Sequence, residues 1–279
     1  MPEQSNLDTS KDVLTLEEAS QLFQVSTKTF LKLLREENLP ARKVGREWRF
    51  SRTALLQWIA SGQSRDYAAF EDENRAYFTQ VAPVYDEMRK GCYGEALQEI
   101  ILSHYPPKPG SAVADIGTGT GYLAKALARQ AGRVTAIDLS TAMLEVAGNE
   151  LHQTGIANVD LIEGDAHDLP LPDASQEAIY ANLLLHHLIE PGAAIREMYR
   201  ILSPGGRVVI SDVKTHSHQW VKTEKFDLWL GFDPAEIEGW LAGAGFRDVA
   251  VTHLGCNCRT SNKAGQTVEI PMFLATGVK

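Results

Sequence analysis

The chain of 279 residues is 44% hydrophobic and 23% charged, which is ordinary for a soluble protein with one sizeable core and a small extra domain. Its N-terminus is polar and no apolar run approaches membrane-spanning length, so we expect a cytoplasmic protein without a signal peptide or membrane anchor. The three cysteines are an odd number, which argues against a disulfide framework and suits a reducing compartment.

Charge is distributed unevenly along the chain. From Lys11 to Arg65 there are ten Lys or Arg residues against six Asp or Glu residues, a net charge of +4, whereas the whole chain carries −9. The first part of the chain is therefore a basic segment on an acidic protein. We predict a disordered tail over residues 1–10 and a small basic domain over residues 11–63.

Helices and a hairpin are predicted in this basic domain. Thr15 begins a capping box before a first helix, and Ser26 caps a second helix over residues 27–37. Residues 42–50 alternate about a glycine turn, which predicts a small basic hairpin. A third helix, capped by Ser51, closes the domain.

This stretch resembles the winged helix-turn-helix of phage excisionases and MerR-like regulators over about 50 residues. The resemblance implies that the second helix enters the major groove and that the hairpin contacts phosphates. The residues predicted to contact DNA are Lys28, Lys32, Arg42, Lys43 and Arg46. One winged unit has a limited footprint, so we expect a homodimer. Because a net charge of +4 is modest for a DNA-binding domain, a module that docks protein or only dimerises is the alternative.

Residues 64–109 begin as a polar, acidic linker and continue as helix as far as a proline-rich stretch. The aromatic residues Tyr77, Phe78 and Tyr85 admit two interpretations. They form a lid over a cofactor, or they only pack the helix on the core. We therefore assign this segment as a helical linker and lid.

A strand, a glycine turn and a helix are predicted over residues 111–131. Gly117, Gly119 and Gly121 form a turn that needs positive φ and must let a ligand approach the backbone. Their spacing, G-x-G-x-G, differs from the dinucleotide fingerprint G-x-G-x-x-G. Asp115 is placed to accept from an ammonium group, which the methionyl part of S-adenosylmethionine has. The turn favours that cofactor, with an ordinary strand-to-helix turn as the alternative.

Two further strands end in acidic residues. The second predicted strand ends in Asp138, which is placed to accept both ribose hydroxyls of an adenosine. Leu139 and Met143 are candidates to flank the adenine, although Met143 equally suits the core. The third strand leads to Asp165 and Ala166. Asp165 is a candidate acceptor for the exocyclic amine of adenine, or it is only a turn aspartate.

Five successive motifs resemble those of class I S-adenosylmethionine-dependent methyltransferases: D-I-G-T-G-T-G, A-I-D-L-S, E-G-D-A, N-x-x-x-H-H and L-S-P-G-G-R-V-V-I-S-D. The match is nearest to quinone-biosynthesis C-methyltransferases and to methyltransferases fused to an arsenic-repressor-type regulator. It implies a doubly wound α/β domain over residues 110–279, with a seven-stranded, mostly parallel sheet whose last strand is antiparallel. The predicted cofactor-site residues are Tyr85, Asp115, Gly117, Thr118, Gly119, Gly121, Asp138, Leu139, Met143, Asp165, Ala166 and Asn182.

The leading functional hypothesis is an enzyme that moves a methyl group from S-adenosylmethionine to a small molecule. Aligning the reactants and excluding water are the main requirements, and a general base is optional. His186, His187 and His216 are candidates to steer or deprotonate the acceptor, or they are structural. The alternative is a transcriptional regulator whose methyltransferase-like domain senses S-adenosylmethionine or its demethylated product without turnover.

The cysteines allow one further hypothesis. Cys256 and Cys258 are predicted to lie in a loop between the last two strands, which the resemblance places near the substrate mouth, and Cys92 precedes the first strand of the large sheet. Converging thiolates would suit a thiophilic acceptor such as trivalent arsenic, or a structural zinc ion with one more ligand. The spacing C-x-C is not that of a standard zinc site, so we expect small buried residues, no metal and at most weak metalloid binding.

Overall fold

The computed structural model describes residues 11–36, 39–45, 47–61, 64–92 and 95–279. The chain divides into two compact units, Met1–Ala69 and Phe70–Lys279. The predicted disordered tail, residues 1–10, lies outside the described residues. Within the described part of the chain, no helix combines the length and the apolar character needed to cross a membrane.

The described residues of the first unit form short helices and a small antiparallel sheet. They are β1 (Val13–Leu14), α1 (Leu16–Leu22), α2 (Thr27–Glu36), β2 (Arg42–Val44), β3 (Glu47–Ser51) and α3 (Arg52–Ser61). The strand order is β1-β3-β2. The predicted hairpin is confirmed, and β1 adds a strand of two residues, which is too short to show a periodic pattern.

The predicted helix caps of the first unit are confirmed. The Thr15 hydroxyl accepts from the backbone N–H of Glu18, whose carboxylate accepts in return from the N–H of Thr15. The Ser26 hydroxyl accepts from the N–H of Thr29, and Ser51 makes the equivalent contact at the start of α3. These side chains satisfy backbone donors that a helix start leaves unpaired. The core beneath the helices contains Leu14, Phe30, Phe50 and Leu55.

A run of helices precedes the large sheet of the second unit. It comprises α4 (Ser64–Val81), a 3-10 turn (Ala82–Val84), α5 (Tyr85–Arg89) and α6 (Glu95–His104). The acidic residues predicted to begin this segment as a polar linker are themselves helical, because α4 begins at Ser64 and includes them. Glu and Ala are good helix formers, so a polar composition did not prevent helix formation here.

The second unit is organised around a seven-stranded sheet, as predicted. Its strands are β4 (Ala112–Ile116), β5 (Arg133–Asp138), β6 (Val159–Glu163), β7 (Gln176–Asn182), β8 (Leu202–Val213), β9 (Arg247–Ser261) and β10 (Thr267–Val278). The strand order is β6-β5-β4-β7-β8-β10-β9, and only β10 and its neighbours pair antiparallel. The order reverses between β4 and β7, which is where open α/β sheets bind ligands.

Helices cover both faces of this sheet. They are α7 (Tyr122–Leu127), α8 (Thr141–Thr154), α9 (Pro191–Ile201), α10 (Trp220–Glu224) and α11 (Pro234–Ala244). Ile179 and Tyr180 are adjacent in β7 and are both fully buried, each in a different core cluster. A strand that is buried on both faces has an apolar run rather than an alternating pattern.

The long β9–β10 hairpin corrects two expectations about the cysteines. Cys256 and Cys258 lie within β9, where Cys258 is opposite Ile270, and not in a loop. Cys92 and Cys258 form a disulfide across 166 residues of sequence, although an odd cysteine count argued against one. The pairing could not be predicted because the two cysteines are far apart in the sequence. The extent of the strands was not predicted because Pro271, at a register shift in β10, interrupts the strand pattern.

Candidate functional site

A cavity lies at the carboxyl ends of β4, β5, β6 and β7. It is partly open to solvent and is lined by residues that follow all four strands. Eleven of the twelve predicted cofactor-site residues line it: Tyr85, Asp115, Gly117, Thr118, Gly119, Asp138, Leu139, Met143, Asp165, Ala166 and Asn182. Phe78 also lines this cavity, so the helical segment before the sheet forms part of its wall.

The glycine turn has the predicted backbone conformation. Gly117, Gly119 and Gly121 have φ values of 69°, 54° and 79°. A Cβ on Gly117 would lie 2.6 Å from Leu184 Cδ1, whereas a Cβ on Gly119 would meet only the ring of Tyr85, at 3.9 Å. The missing side chain of Gly119 therefore keeps the cavity open. Gly121 does not line the cavity and instead begins α7 as its N-cap residue.

Asp115 is buried where β4 ends. Its Oδ2 accepts a hydrogen bond of 2.7 Å from the hydroxyl of Thr118. Burial raises the pKa of Asp115 to about 7, because a carboxylate loses its hydration there. A cation bound nearby would therefore stabilise the ionised form of Asp115.

Asp138 connects the end of β5 to the glycine turn. Its Oδ2 accepts from the backbone N–H of Gly119 at 2.7 Å, and its Oδ1 accepts from the N–H of Ser140 at 2.9 Å. Burial raises its pKa. Each carboxylate oxygen has a second lone pair, so the group can still accept two hydroxyl donors.

His167 is a cavity residue that the sequence analysis missed. Its ring Nδ1 and its backbone N–H both contact Asp165 Oδ1, at 2.8 and 2.9 Å. The Nε2 atom is buried and has no hydrogen-bond partner among the described residues. The predicted acceptor Asp165 is therefore already engaged on one oxygen by a neighbouring histidine.

Two of the three predicted histidines, His186 and His187, lie side by side, with ring centroids 4.1 Å apart. His187 lines the cavity and contacts the ring of Phe78. His186 is buried, and its Nδ1 lies 2.6 Å from Asp212 Oδ1 at the end of β8. Burial lowers the pKa of His187 well below its usual value, with His186 and Arg89 adding to the effect.

Two charged groups complete this cluster, and the sequence analysis did not name them as site residues. Asp227 Oδ1 is 3.8 Å from His186 Nε2, and Arg89 Nη2 is 3.5 Å from His187 Nε2. The backbone N–H groups of Leu228 and Trp229 bond to the carbonyl of His186, which fixes the loop that carries Asp227. These residues are distant in sequence, so no local pattern could have joined them.

His216 is placed differently from the other two histidines. Its Nδ1 accepts from the backbone N–H of His218 at 3.2 Å, and its Nε2 is buried without a hydrogen-bond partner in the described structure. Burial lowers its pKa to about 4, with His218 and His186 contributing. His216 is not among the residues that line the cavity.

The predicted DNA-contacting residues belong to the first unit. Lys28 in α2 is exposed, as are Arg42 and Lys43 in β2. Arg46 lies outside the described residues, and so does the side chain of Lys32. The described part of the hairpin thus presents two exposed basic side chains on one strand.

Comparisons with known families agree with this division of the chain. Residues 114–210 match the family described as "Methyltransferase domain", and residues 13–63 match the family described as "Helix-turn-helix domain". The second unit contains a methyltransferase domain. Its match extends from β4 to β8 and includes both the glycine turn and the histidine pair of the cavity.

Relatives with assigned names align with the methyltransferase domain. A demethylmenaquinone methyltransferase of Clavibacter sepedonicus is 38% identical over 124 residues, which are 44% of this chain and 49% of the relative. A malonyl-[acyl-carrier protein] O-methyltransferase of Serratia marcescens is 35% identical over 140 residues, 50% of each chain. The chain spans about half the length of the curated relatives it matches.

A solved structure shows the same fold. The S-adenosylmethionine-dependent methyltransferase from Aquifex aeolicus superposes with a TM-score of 0.54 at 21% identity, covering 73% of this chain and 97% of that chain. At this identity the likeness supports the class I methyltransferase fold and not a particular acceptor.

Proposed function

We propose that the methyltransferase domain binds S-adenosylmethionine in the cavity and transfers its methyl group to a small-molecule acceptor. The observation that carries this proposal is the hydrogen bond from the Gly119 N–H to Asp138. It places the glycine turn, which has no side chain that fills the cavity, next to a carboxylate that can accept further hydrogen bonds. Asp138 would hold the ribose hydroxyls, Asp115 the ammonium group, and Asp165 the adenine amine. Leu139 and Met143 would flank the ring.

The bound cofactor supplies an activated methyl group on a positively charged sulfur. The residues of this chain then have to orient the acceptor, exclude water and take up a proton where the acceptor carries one. His187 lies on the cavity wall, and His186 behind it is oriented by Asp212. We propose that this histidine pair faces the acceptor, whereas His216 supports the surrounding structure.

The acceptor is proposed only as a small molecule. The two named relatives methylate different kinds of acceptor by their names, one a demethylmenaquinone and the other a malonyl group on a carrier protein. Shared ancestry of the domain therefore supports the cofactor more strongly than it supports any one acceptor.

Calorimetry with S-adenosylmethionine and S-adenosylhomocysteine tests the cofactor site. Gly119→Val should abolish binding, because a side chain there enters the cavity rather than the protein interior. Gly265→Val is the matched control, since Gly265 also has a positive φ, of 82°, and no atom lies within 4 Å of its Cβ position. Equal affinity in wild type and a folded Gly119→Val variant would refute the site.

Turnover is tested separately. Release of S-adenosylhomocysteine is measured with metabolite extracts, with and without DNA. Acceptor-dependent release supports the enzyme. Cofactor binding without any release in active extracts would favour a regulator that senses the cofactor.

We further propose that the helix-turn-helix domain binds DNA as a homodimer in the cytoplasm and directs the chain to a promoter. The exposed side chains of Lys28, Arg42 and Lys43 support this proposal, since phosphate contacts need accessible cations. Binding to the upstream region of the protein's own gene at low salt is the expected result. Failure to bind any DNA there would leave a protein-docking module.

A further inference from the structure

Three buried side chains beside the cofactor cavity bring metal-ligating atoms together. One ligand atom from each of His186, His187 and Asp227 lies within 4.8 Å of the other two. All three side chains are at least nine-tenths buried, with exposed fractions of 2%, 9% and 8%. Buried polar groups normally need a hydrogen-bond partner or a bound ion, so three buried groups of this kind close together are a candidate ligand site.

The hydrogen bonds behind the two histidines engage the Nδ1 atom of each ring and leave the Nε2 atoms for the cluster. His186 Nδ1 is 2.6 Å from Asp212 Oδ1, and His187 Nδ1 is 3.0 Å from the carbonyl oxygen of Phe226. Neither oxygen is a donor, so each Nδ1 carries a hydrogen, and in a neutral ring the lone pair is then on Nε2. The Nε2 of His187 lies 3.5 Å from Arg89 Nη2. Histidines that bind metals are held in this way by an acceptor on the far nitrogen.

Asp227 supplies the third atom. Its Oδ1 is buried and has no hydrogen-bond partner in the described structure. It lies 3.8 Å from His186 Nε2. Ligand atoms around a tetrahedral zinc ion are about 3.3 Å apart, given metal–ligand distances near 2.0 Å. The distance between the His186 and Asp227 atoms is therefore about 0.5 Å longer than in such a site.

Phe226, which precedes Asp227, has a positive φ of 58°. A bulky residue in the left-handed region is strained, and such strain is kept where the surrounding structure requires it. Here it accompanies two contacts of the cluster, the Phe226 carbonyl on His187 and the Asp227 carboxylate facing His186.

We propose that His186, His187 and Asp227 bind a divalent transition-metal ion of the zinc or iron(II) class. Two imidazole nitrogens and one carboxylate oxygen suit these ions and leave coordination positions open. Since His187 lines the cavity, the proposed ion would lie beside the proposed cofactor site. No metal was expected from the sequence, because only the cysteines were considered as ligands and their C-x-C spacing is not that of a standard zinc site.

The role of the ion rests on the proposed methyl transfer. A hydroxyl or thiol of the acceptor would bind at an open position, and the ion would lower its pKa so that its proton leaves to solvent. The lone pair of that atom then forms the new bond to the methyl carbon, and the cofactor sulfur keeps the electron pair of the broken C–S bond.

Arg89 is the cation that competes with the proposed ion. Its Nη2 lies 3.5 Å from His187 Nε2, and its Nε lies 3.2 Å from the hydroxyl of Tyr85. Because a guanidinium and a metal ion would share the same lone pair, removing the guanidinium should favour the metal. Arg89→Gln is therefore expected to bind metal more tightly than wild type.

Cobalt(II) is a direct probe, since its d–d absorption reports coordination. Untagged full-length protein, stripped with a chelator, is titrated with Co²⁺ and then with Zn²⁺ in competition. We expect one equivalent to bind, with affinity reduced at least about 10-fold in Asp227→Asn and about 10- to 100-fold in Asp212→Asn. His152→Gln is the matched control, because His152 is exposed on α8 and should not alter the titration.

The results separate the metal site from the cofactor site. Circular dichroism and thermal unfolding check that every variant is folded, and binding of S-adenosylhomocysteine is measured on each as a separate readout. If neither wild type nor Arg89→Gln shows stoichiometric Co²⁺ bands, or if Asp227→Asn binds as tightly as wild type, the metal site is refuted. Loss of cofactor binding with an intact Co²⁺ spectrum would instead refute the proposed cofactor site alone.

Discussion

Asp115 provides the sharpest test of the cofactor assignment, because burial and ligand binding act on it in opposite directions. Its carboxyl group is 1% exposed, and burial raises its pKa from 3.8 to about 7. The change that isolates this effect is Asp115→Asn. An asparagine keeps the shape and can still accept from the Thr118 hydroxyl, but it cannot ionise.

The sign of the pH effect follows from proton binding. Between about pH 4 and pH 7 the unfolded chain has lost the Asp115 proton while the folded protein keeps it, so stability falls as pH rises. A shift of about 3 pKa units corresponds to about 4 kcal/mol, nearly all of it lost by pH 8. The unfolding free energy of wild type should therefore fall by about 3 kcal/mol between pH 5 and pH 8 because of Asp115. Asp115→Asn should not show this fall.

Cofactor affinity should change in the opposite direction. If Asp115 binds an ammonium group as a carboxylate, wild type should bind S-adenosylmethionine about 10-fold more weakly at pH 6 than at pH 8. The variant should bind weakly at both pH values. Urea unfolding and calorimetry across this pH range measure both effects. Equal affinities for the two proteins at pH 8, or parallel stability curves, would refute this account of Asp115.

Three other outcomes are expected. Asp138→Asn should weaken S-adenosylmethionine binding by about 1.5–3 kcal/mol in calorimetry, while Asp160→Asn, on the neighbouring strand outside the cavity, should leave it unchanged. Arg42→Glu with Lys43→Glu should weaken DNA binding and flatten its dependence on salt concentration by about one unit per lost phosphate contact, and an unchanged slope would favour the docking module. Cys92→Ser should lower the unfolding free energy by about 2–5 kcal/mol under oxidising conditions and make it insensitive to dithiothreitol, whereas equal stability of the two oxidised proteins would contradict a structural disulfide.

Interactions between residues close in the sequence were enough to predict the helix starts of the first unit and the glycine turn of the second. Thr15, Ser26 and Ser51 begin helices because their side chains accept from nearby backbone donors, a contact that needs no distant residue. The glycine turn is equally local, since left-handed φ values favour glycine. Asp138 was predictable because parallel strands place their carboxyl ends at one edge of a sheet.

Residues that meet only after folding were beyond the reach of sequence patterns. The Cys92–Cys258 disulfide and the contact between His186 and Asp227 join separate elements, and neither pair has a characteristic spacing. Tertiary structure also decided between similar candidates, placing His187 on the cavity wall and His216 away from it. Periodicity and capping depend on neighbours along the chain, whereas a buried polar cluster depends on which elements pack together and on the partners that burial then requires.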